Sequence, residues 1–364
     1  MNILFVICGE GLGHASRSIK LARYLTQHGH TCTFASYGKA YTFIQKQKFF
    51  VYPINREITL GGNNGLFSLE KTLCLSKTIP ISLLHSYYDV RRLLKDYCFD
   101  ILISDTMYAA GLAAKSLGIP NVFITNQNTF APLTESNAVY WSYLSRIVQL
   151  YLRRVPDIVI VPDFPPPDTI SGYNFFFHKS EISHYQFVGP ILDRNFDKVS
   201  LSAETIFASF GGEPFKLPLY TLLREMADKM PDKTFEIFST TPGLPESTDN
   251  FRTFGYVTDL QPYLAKSRVA IMHGGLTSLM EALSLGKPVV MIIDPYHPEQ
   301  WNNAKKIEEI GAGITVLGNA VTKEKLDDAI SRALTLTPPN LHRLFSSFDG
   351  SAIILRILEH LYAS

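Results

Sequence analysis

Apolar residues first appear as short, unbroken runs. Residues 3–8, Ile-Leu-Phe-Val-Ile-Cys, are stopped by Gly9, the pattern of a strand buried on both faces of a parallel sheet. A Gly-rich turn follows, and residues 16–27 then carry apolar side chains at helical spacing. Strand, turn and helix in that order open a doubly wound α/β domain. The alternation continues: residues 31–36, 49–54, 101–104, 121–125 and 157–161 read as strands, with helical patterns over 69–97 and 108–117.

The periodicity breaks at Gly189-Pro190-Ile191-Leu192-Asp193-Arg194. A second series begins with the strand 205–210, stopped by Gly211-Gly212, and continues with strands at 235–238, 269–272, 289–293 and 313–316. The pattern predicts an α/β domain over 1–190, a linker over 191–203 and a second α/β domain over 204–340. Thr337-Pro338-Pro339 then punctuates the chain. In the remainder, 341–364, apolar residues at 353, 354, 357, 358 and 361 form one helical stripe that suits either domain.

Composition narrows the function classes. The 364 residues are 46% hydrophobic and 18% charged, a balance that fits a soluble globular protein. A net charge of +1 gives no general electrostatic case for nucleic acid. That value hides an asymmetry: residues 1–195 hold 18 Lys and Arg against 13 Asp and Glu, whereas residues 196–364 hold 16 against 20. An anionic partner is therefore expected at the first half, with ordinary scatter of charge as the bland alternative. Cys8, Cys32, Cys74 and Cys98 have no CxxC or CxxH spacing, so reduced thiols in a cytoplasmic protein are expected rather than zinc or disulfides. The first residues lack a basic n-region, and no predominantly apolar charge-free run approaches the ~20 residues of a membrane span.

Gly9-Glu10-Gly11-Leu12-Gly13-His14 resembles a dinucleotide fingerprint only superficially. His14 stands where the third glycine belongs, and Phe34-Ala35-Ser36 supplies no acidic residue at the next strand end. The turn, Gly13 included, instead brings backbone N–H groups and His14 to the carboxyl edge of the sheet, where ligands of open α/β folds bind. Asp105 follows the apolar strand 101–104 at the same kind of edge. A carboxylate bonded to one imidazole nitrogen fixes the tautomer and stabilises the imidazolium formed at the other. The two residues thus read as a base and its orienter, or, more blandly, as helix-capping groups.

The most specific string is His273-Gly274-Gly275-Leu276-Thr277-Ser278-Leu279-Met280-Glu281, after the strand 269–272. Its glycines permit close approach of a ligand, and the helix start offers unpaired N–H groups to a diphosphate. Thr277 and Ser278 add hydroxyls. Glu281, on the same helix face, suits ribose hydroxyls. Past the next strand, Glu299 and Gln300 offer the acceptors and donors that sugar hydroxyls require.

With these residues assembled, the chain resembles the GT-B nucleotide-sugar glycosyltransferases. His273-x-Gly275-x-x-Ser278-x-x-Glu281, Gly286-x-Pro288 and Glu299-Gln300 are similar to the donor signature of plant and bacterial UDP-glycosyltransferases. The opening Gly-x-Gly-x-Gly-His is similar to the loop of the peptidoglycan glucosaminyltransferases and galactolipid synthases. The resemblance implies two Rossmann-like domains facing across a cleft. It implies an inverting transfer from a UDP-sugar, used as co-substrate with no further cofactor and no metal. His14 would deprotonate the acceptor with Asp105 in support. His273, Gly274, Gly275 and Ser278 would hold the diphosphate, Glu281 the ribose, and Glu299 with Gln300 the sugar, while Gly212 and Val257 would line the phosphate and base sites. Plant enzymes carry Trp-Asn at Leu276-Thr277 and Asp at Glu299, so their sugar preference does not transfer.

The acceptor is less legible. Arg146, Arg153 and Arg154 frame aromatic residues over 140–152 that suit a membrane interface, and a flexible loop Gly61-Gly62-Asn63-Asn64-Gly65 is expected to cover an acceptor. The basic first half and the resemblance to lipid-glycosylating enzymes favour a lipid or lipid-linked acceptor and peripheral association with the inner face of a membrane. A core helix and an ordinary surface loop are the competing reading of the same residues. For the whole chain, the alternatives are a sugar-nucleotide epimerase of the same architecture and a noncatalytic nucleotide-sugar-binding protein.

Overall fold

The computed structural model describes residues 1–76, 79–130, 138–177, 182–193 and 205–363. The predicted linker thus lies outside the described residues from 194 to 203. The chain forms two compact units, the first made of Met1–Leu60, Thr72–Asp193 and Leu344–Ser364, the second of Gly61–Lys71 and Arg194–Arg343.

The first half runs β1 (Asn2–Ile7), α1 (Leu12–Gln27), β2 (Thr31–Ser36), α2 (Gly38–Lys46), β3 (Val51–Pro53), β4 (Gly62–Asn63), β5 (Leu66–Phe67), α3 (Leu69–Leu75), α4 (Ile79–Asp96), β6 (Ile101–Asp105), α5 (Tyr108–Ser116), β7 (Asn121–Ile124), α6 (Ala138–Arg154), β8 (Ile158–Val161) and β9 (Tyr185–Phe187). The first unit's sheet has the order β3-β2-β1-β6-β7-β8-β9, all parallel. β1 lies inside this sheet, with Phe5 in register between Phe34 and Ile103. Its side chains alternate between two helix layers: Ile3, Phe5 and Ile7 join the cluster with Ile19 and Leu25 of α1, and Leu4 and Val6 join Val90 and Leu94 of α4. That two-sided burial is why the run is apolar throughout.

The second half runs β10 (Thr205–Ser209), α7 (Leu217–Lys229), β11 (Thr234–Phe238), β12 (Phe251–Phe254), α8 (Gln261–Lys266), β13 (Val269–Met272), α9 (Leu276–Ser284), β14 (Val289–Ile293), α10 (Pro298–Glu309), β15 (Gly313–Leu317), α11 (Lys323–Thr335), α12 (His342–Ser347) and α13 (Gly350–Ala363). The second sheet has the order β12-β11-β10-β13-β14-β15, again parallel. Both sheets show the doubly wound pattern expected from the alternation of runs. The short strands β9 and β12 were not anticipated; each lies at a sheet edge, and neither has the long apolar run that marks an inner strand.

One segment departs from the expected boundaries, and the chain end takes one of the two places open to it. Residues 1–190 are not one continuous domain, because Gly61–Lys71 groups with the second unit. The expected flexible loop is a hairpin: Gly62 pairs with Phe67 and Asn63 with Leu66 around Asn64 (φ 48°) and Gly65 (φ 84°). Positive φ at both turn residues is the two-residue geometry that Asn-Gly favours. The chain end, whose stripe suits either domain, returns to the first unit. Ile354, Leu355 and Leu358 of α13 are buried in the cluster that contains β1 and α1. Gly189 (φ 82°) admits this return, since a Cβ there would lie 2.5 Å from the Phe348 Cβ. The segment at the expected domain break is therefore a packing site.

Removing the buried bulk of that last helix tests its role in the first unit. Ile354→Ala should lower unfolding stability by about 2–5 kcal/mol in denaturant titration, and an unchanged midpoint would contradict the packing.

Candidate functional site

In the first unit the site begins at the carboxyl ends of β1 and β6, which pair directly, Ile7 opposite Asp105. α1 starts after Gly11, whose φ of 77° turns the chain from strand to helix with no side-chain cap. Gly13 and His14 lie in its first turn. His14 Nδ1 is 2.8 Å from Asp105 Oδ1, with 26% of the His14 side chain exposed and the Asp105 side chain fully buried. Neither residue acts as a helix cap. The N–H groups of Tyr108 and Ala109 at the start of α5 are instead accepted by the buried Glu57 carboxylate, at 3.0 and 2.9 Å.

Asp105 has a partner that the sequence reading left without a role. Arg17 Nε donates to Asp105 Oδ2 at 2.6 Å and Arg17 Nη2 to Oδ1 at 2.5 Å, a two-point grip on the carboxylate. Arg17 also donates to Asn126 Oδ1, Ser18 Oγ to Asp105 Oδ2 at 3.1 Å, and Thr106 Oγ1 to Oδ1 at 3.2 Å. Burial alone would raise the Asp105 carboxyl, but the charge of Arg17, with the hydrogen bonds from Arg17 and His14, outweighs it and holds the group well below the carboxylate range. An ionised carboxylate only accepts hydrogen bonds, so Nδ1 of His14 must be the donor. The Nε2 lone pair is left to take a proton. Arg17 lies three residues after His14 on the same helix face, which is the signal that could have found it.

In the second unit, β10, β13 and β14 are neighbours, and their carboxyl ends carry Gly211-Gly212, His273-Gly274-Gly275 and Asp294 respectively. A Cβ on Gly212 would lie 2.2 Å from Thr240 Oγ1, so the close turn requires glycine. Gly274 (φ 80°) turns the chain into α9, and its carbonyl accepts from the buried Asn303 Nδ2 at 3.0 Å. Thr277 and Ser278 lie in the first turn of α9, with Glu281 one turn on; all three are half-buried. The His273 imidazole is lowered to about 4, first by burial and then by the charge of Lys216, and is therefore neutral at physiological pH. Its Nδ1 is buried with no hydrogen-bond partner.

Gln300 and Glu299 lie in the first turn of α10. Gln300 is buried and its amide is committed to Asp294: Oε1 accepts from the Asp294 N–H at 2.8 Å and Nε2 donates to Oδ2 at 3.0 Å. Glu299 is half-buried beside it. Val257 follows β12 at the opposite edge of this sheet from β15 and, of the expected donor residues, stands farthest from β13 in strand order. The structure thus gathers Gly212, His273, Gly274, Gly275, Thr277, Ser278, Glu299 and Gln300 at one sheet edge. Val257 follows β12, two strands from β10 and three from β13. The ion pair of Lys216 with Asp294, at 2.7 and 2.9 Å and buried at both partners, was also missed. Burial lowers Lys216. It would raise Asp294, but Lys216 outweighs that and holds the carboxyl down.

Comparison with known proteins bears on both halves. The model of the glycosyl transferase family 1 matches residues 1–161, and that of the glycosyltransferase family 28 C-terminal domain matches residues 226–341. An uncharacterized glycosyltransferase of Methanosarcina mazei is 30% identical, covering 99% of this chain and 98% of its own. A UDP-N-acetylglucosamine--N-acetylmuramyl-(pentapeptide) pyrophosphoryl-undecaprenol N-acetylglucosamine transferase of Leuconostoc mesenteroides is 22% identical over 94% of this chain and 95% of its own. Among solved structures, the glycosyltransferase of kitacinnamycin superposes with a TM-score of 0.70 at 18% identity, covering 99% and 98% of the two chains.

The electrostatics of Asp105 set a pH window. Its folded-state affinity for protons is depressed, so its contribution to stability is complete above the unfolded carboxylate value of about 3.9 and is lost as pH falls below it. Asp105→Asn should cost about 3–5 kcal/mol at neutral pH, because Arg17 is left buried and unpaired. It should also flatten the loss of stability between about pH 4 and pH 2. A variant that acid-unfolds as steeply as the parent would show that Asp105 is not held ionised in this way.

Proposed function

The chain belongs to the glycosyltransferases, and from that premise we propose that it moves a sugar from a nucleotide diphosphate, a UDP-sugar, to an acceptor hydroxyl with inversion at the anomeric carbon. The observation that carries the reading is His14 Nδ1 held against the buried, ionised Asp105, which leaves Nε2 as base. In the proposed step Nε2 takes the hydroxyl proton as the acceptor oxygen bonds to the anomeric carbon. The bond from that carbon to the diphosphate oxygen breaks, and UDP departs with the electron pair. Asp105 stays ionised and stabilises the imidazolium. Charge on the departing diphosphate falls to the N–H groups at the start of α9 and to Ser278, with His273 and Gly275 alongside. In the second unit Gly212 gives backbone access to the phosphates, Val257 borders the base, Glu281 takes the ribose and Glu299 with Gln300 the sugar. The epimerase reading gains nothing from the relatives, which carry transferase names.

A lipid or lipid-linked acceptor is the finer part of the proposal. On α6, Val139, Tyr143, Ile147 and Leu150 are exposed at helical spacing, and Arg146, Arg153 and Arg154 are exposed on the same helix. Apolar side chains flanked by cations suit an anionic bilayer surface. A relative's name also specifies a polyprenol-linked acceptor. Among the described residues no helix is long and apolar enough to cross a membrane, so any association proposed here is peripheral.

His14→Ala should lower sugar transfer by about 10²–10⁴-fold while UDP binding, read by calorimetry, stays unchanged; retained turnover would remove His14 from the mechanism. The finer reading has its own check in sedimentation with phosphatidylglycerol vesicles at low salt. The parent should pellet and Tyr143→Glu with Ile147→Glu should stay in solution, whereas a parent that remains in the supernatant argues for a soluble acceptor.

A further inference from the structure

The second unit contains a piece of chain that its own sequence block does not supply. Gly61–Lys71 comes from between β3 and α4 yet groups with this unit. A Cβ on Gly62 would lie 2.4 Å from the Phe215 ring, and one on Gly318 would lie 2.4 Å from Leu66 Cδ2, so both glycines mark tight seats for the hairpin. Phe215 belongs to the short turn Pro214–Lys216 that delivers Lys216 to Asp294.

The hairpin then reaches the sugar loop itself. The Phe67 N–H donates to Asp294 Oδ1 at 3.1 Å, and the Phe67 ring meets His297 edge-on at 5.2 Å between centroids. Asp294 is thereby the junction of three contacts: Lys216 from the turn after β10, Phe67 from the hairpin, and Gln300 from the start of α10. The loop is also closed internally, the His297 N–H donating to the Asp294 carbonyl at 3.1 Å. Without the hairpin, one acceptor site of a buried carboxylate and one face of His297 would lose their partners.

We propose that Phe67, with the β4–β5 hairpin that presents it, is a positioning residue for the donor sugar: it fixes the 294–297 loop that leads into α10 and sets the place of Glu299 and Gln300 in its first turn. The proposal rests on the reading of Glu299 and Gln300 as the sugar-binding residues. It makes sugar recognition depend on a segment outside both halves of the donor signature, and so makes the hairpin a determinant of which nucleotide sugar is used.

The test uses the full chain and two readouts. In hydrogen–deuterium exchange, Phe67→Ala should speed exchange over 294–303 by about fivefold or more, with α13 unchanged and Phe67→Tyr close to the parent. In kinetics with the UDP-sugar found by donor screening, Phe67→Ala should raise the donor KM by about five- to tenfold while inhibition by UDP, which lacks the sugar, and the acceptor KM stay within about twofold. Should Phe67→Ala not fold, Phe67→Leu keeps the bulk, loses the aromatic edge and is read in the same way. Unchanged exchange over 294–303 overturns the proposal. Equal loss of UDP and UDP-sugar affinity overturns it as well, since the hairpin would then be a scaffold only. If Glu299→Ala raises the donor KM and Phe67→Ala does not, the hairpin proposal fails and the donor reading stands. If no UDP-sugar binds the parent, the donor reading fails and takes this one with it.

Discussion

A buried carboxylate kept ionised is the constraint on which the first unit's chemistry depends. Asp105 is fully buried at the end of β6, where a lone carboxyl would take up a proton. The Arg17 guanidinium prevents this, and the preference of Nδ1 of His14 to donate follows from it. The backbone is built around the same point. The Cys8 N–H donates to the Asp105 carbonyl at 3.1 Å, and Thr106, next in the chain, holds a φ of 60° that a non-glycine residue seldom adopts. Strain of that kind persists only where its surroundings fix it; here the Thr106 N–H donates to the Ile124 carbonyl of β7 at 3.3 Å.

The second unit uses a similar device for a different end. Asp294 directly follows β14, as Asp105 ends β6, and each faces a buried cation donated from another element. At Asp105 the remaining acceptor capacity orients an imidazole. At Asp294 it ties down a loop, through Gln300 and the Phe67 N–H. A buried ion pair is weak evidence for stability, since desolvation offsets much of the attraction. Its stronger effect here is geometric: two oxygens on one rigid strand end fix the directions of several donors. The neutral His273, lowered by burial and by Lys216, shares that environment without adding charge to it.

Much of this architecture was legible because it follows from short-range rules. Unbroken apolar runs marked strands buried on two faces, and glycines after them marked the sheet edge where His14 and His273 stand. The pairing of His14 with Asp105 could be anticipated because both sit at carboxyl ends of parallel strands. Arg17 and Lys216 were harder to recognise, since a lone cation in a sequence reads as surface and only three-dimensional contact shows it buried. The hairpin was misread although Asn64-Gly65 is a strong turn signal: a local pattern gives the turn and says nothing of which unit receives it. The last helix shows the same limit, for its stripe at 353, 354, 357, 358 and 361 fits any apolar face. The edge strands β9 and β12 lacked a pattern altogether.

The central claim is that His14 and Asp105 act as one base, the second only through the first. A double-variant cycle of transfer rates with His14→Ala, Asp105→Asn and both together tests it most directly. The double variant should turn over within about twofold of His14→Ala alone, because removing the base already removes what Asp105 contributes. Losses that multiply would contradict it, showing that Asp105 acts on the reaction by a route that does not pass through His14.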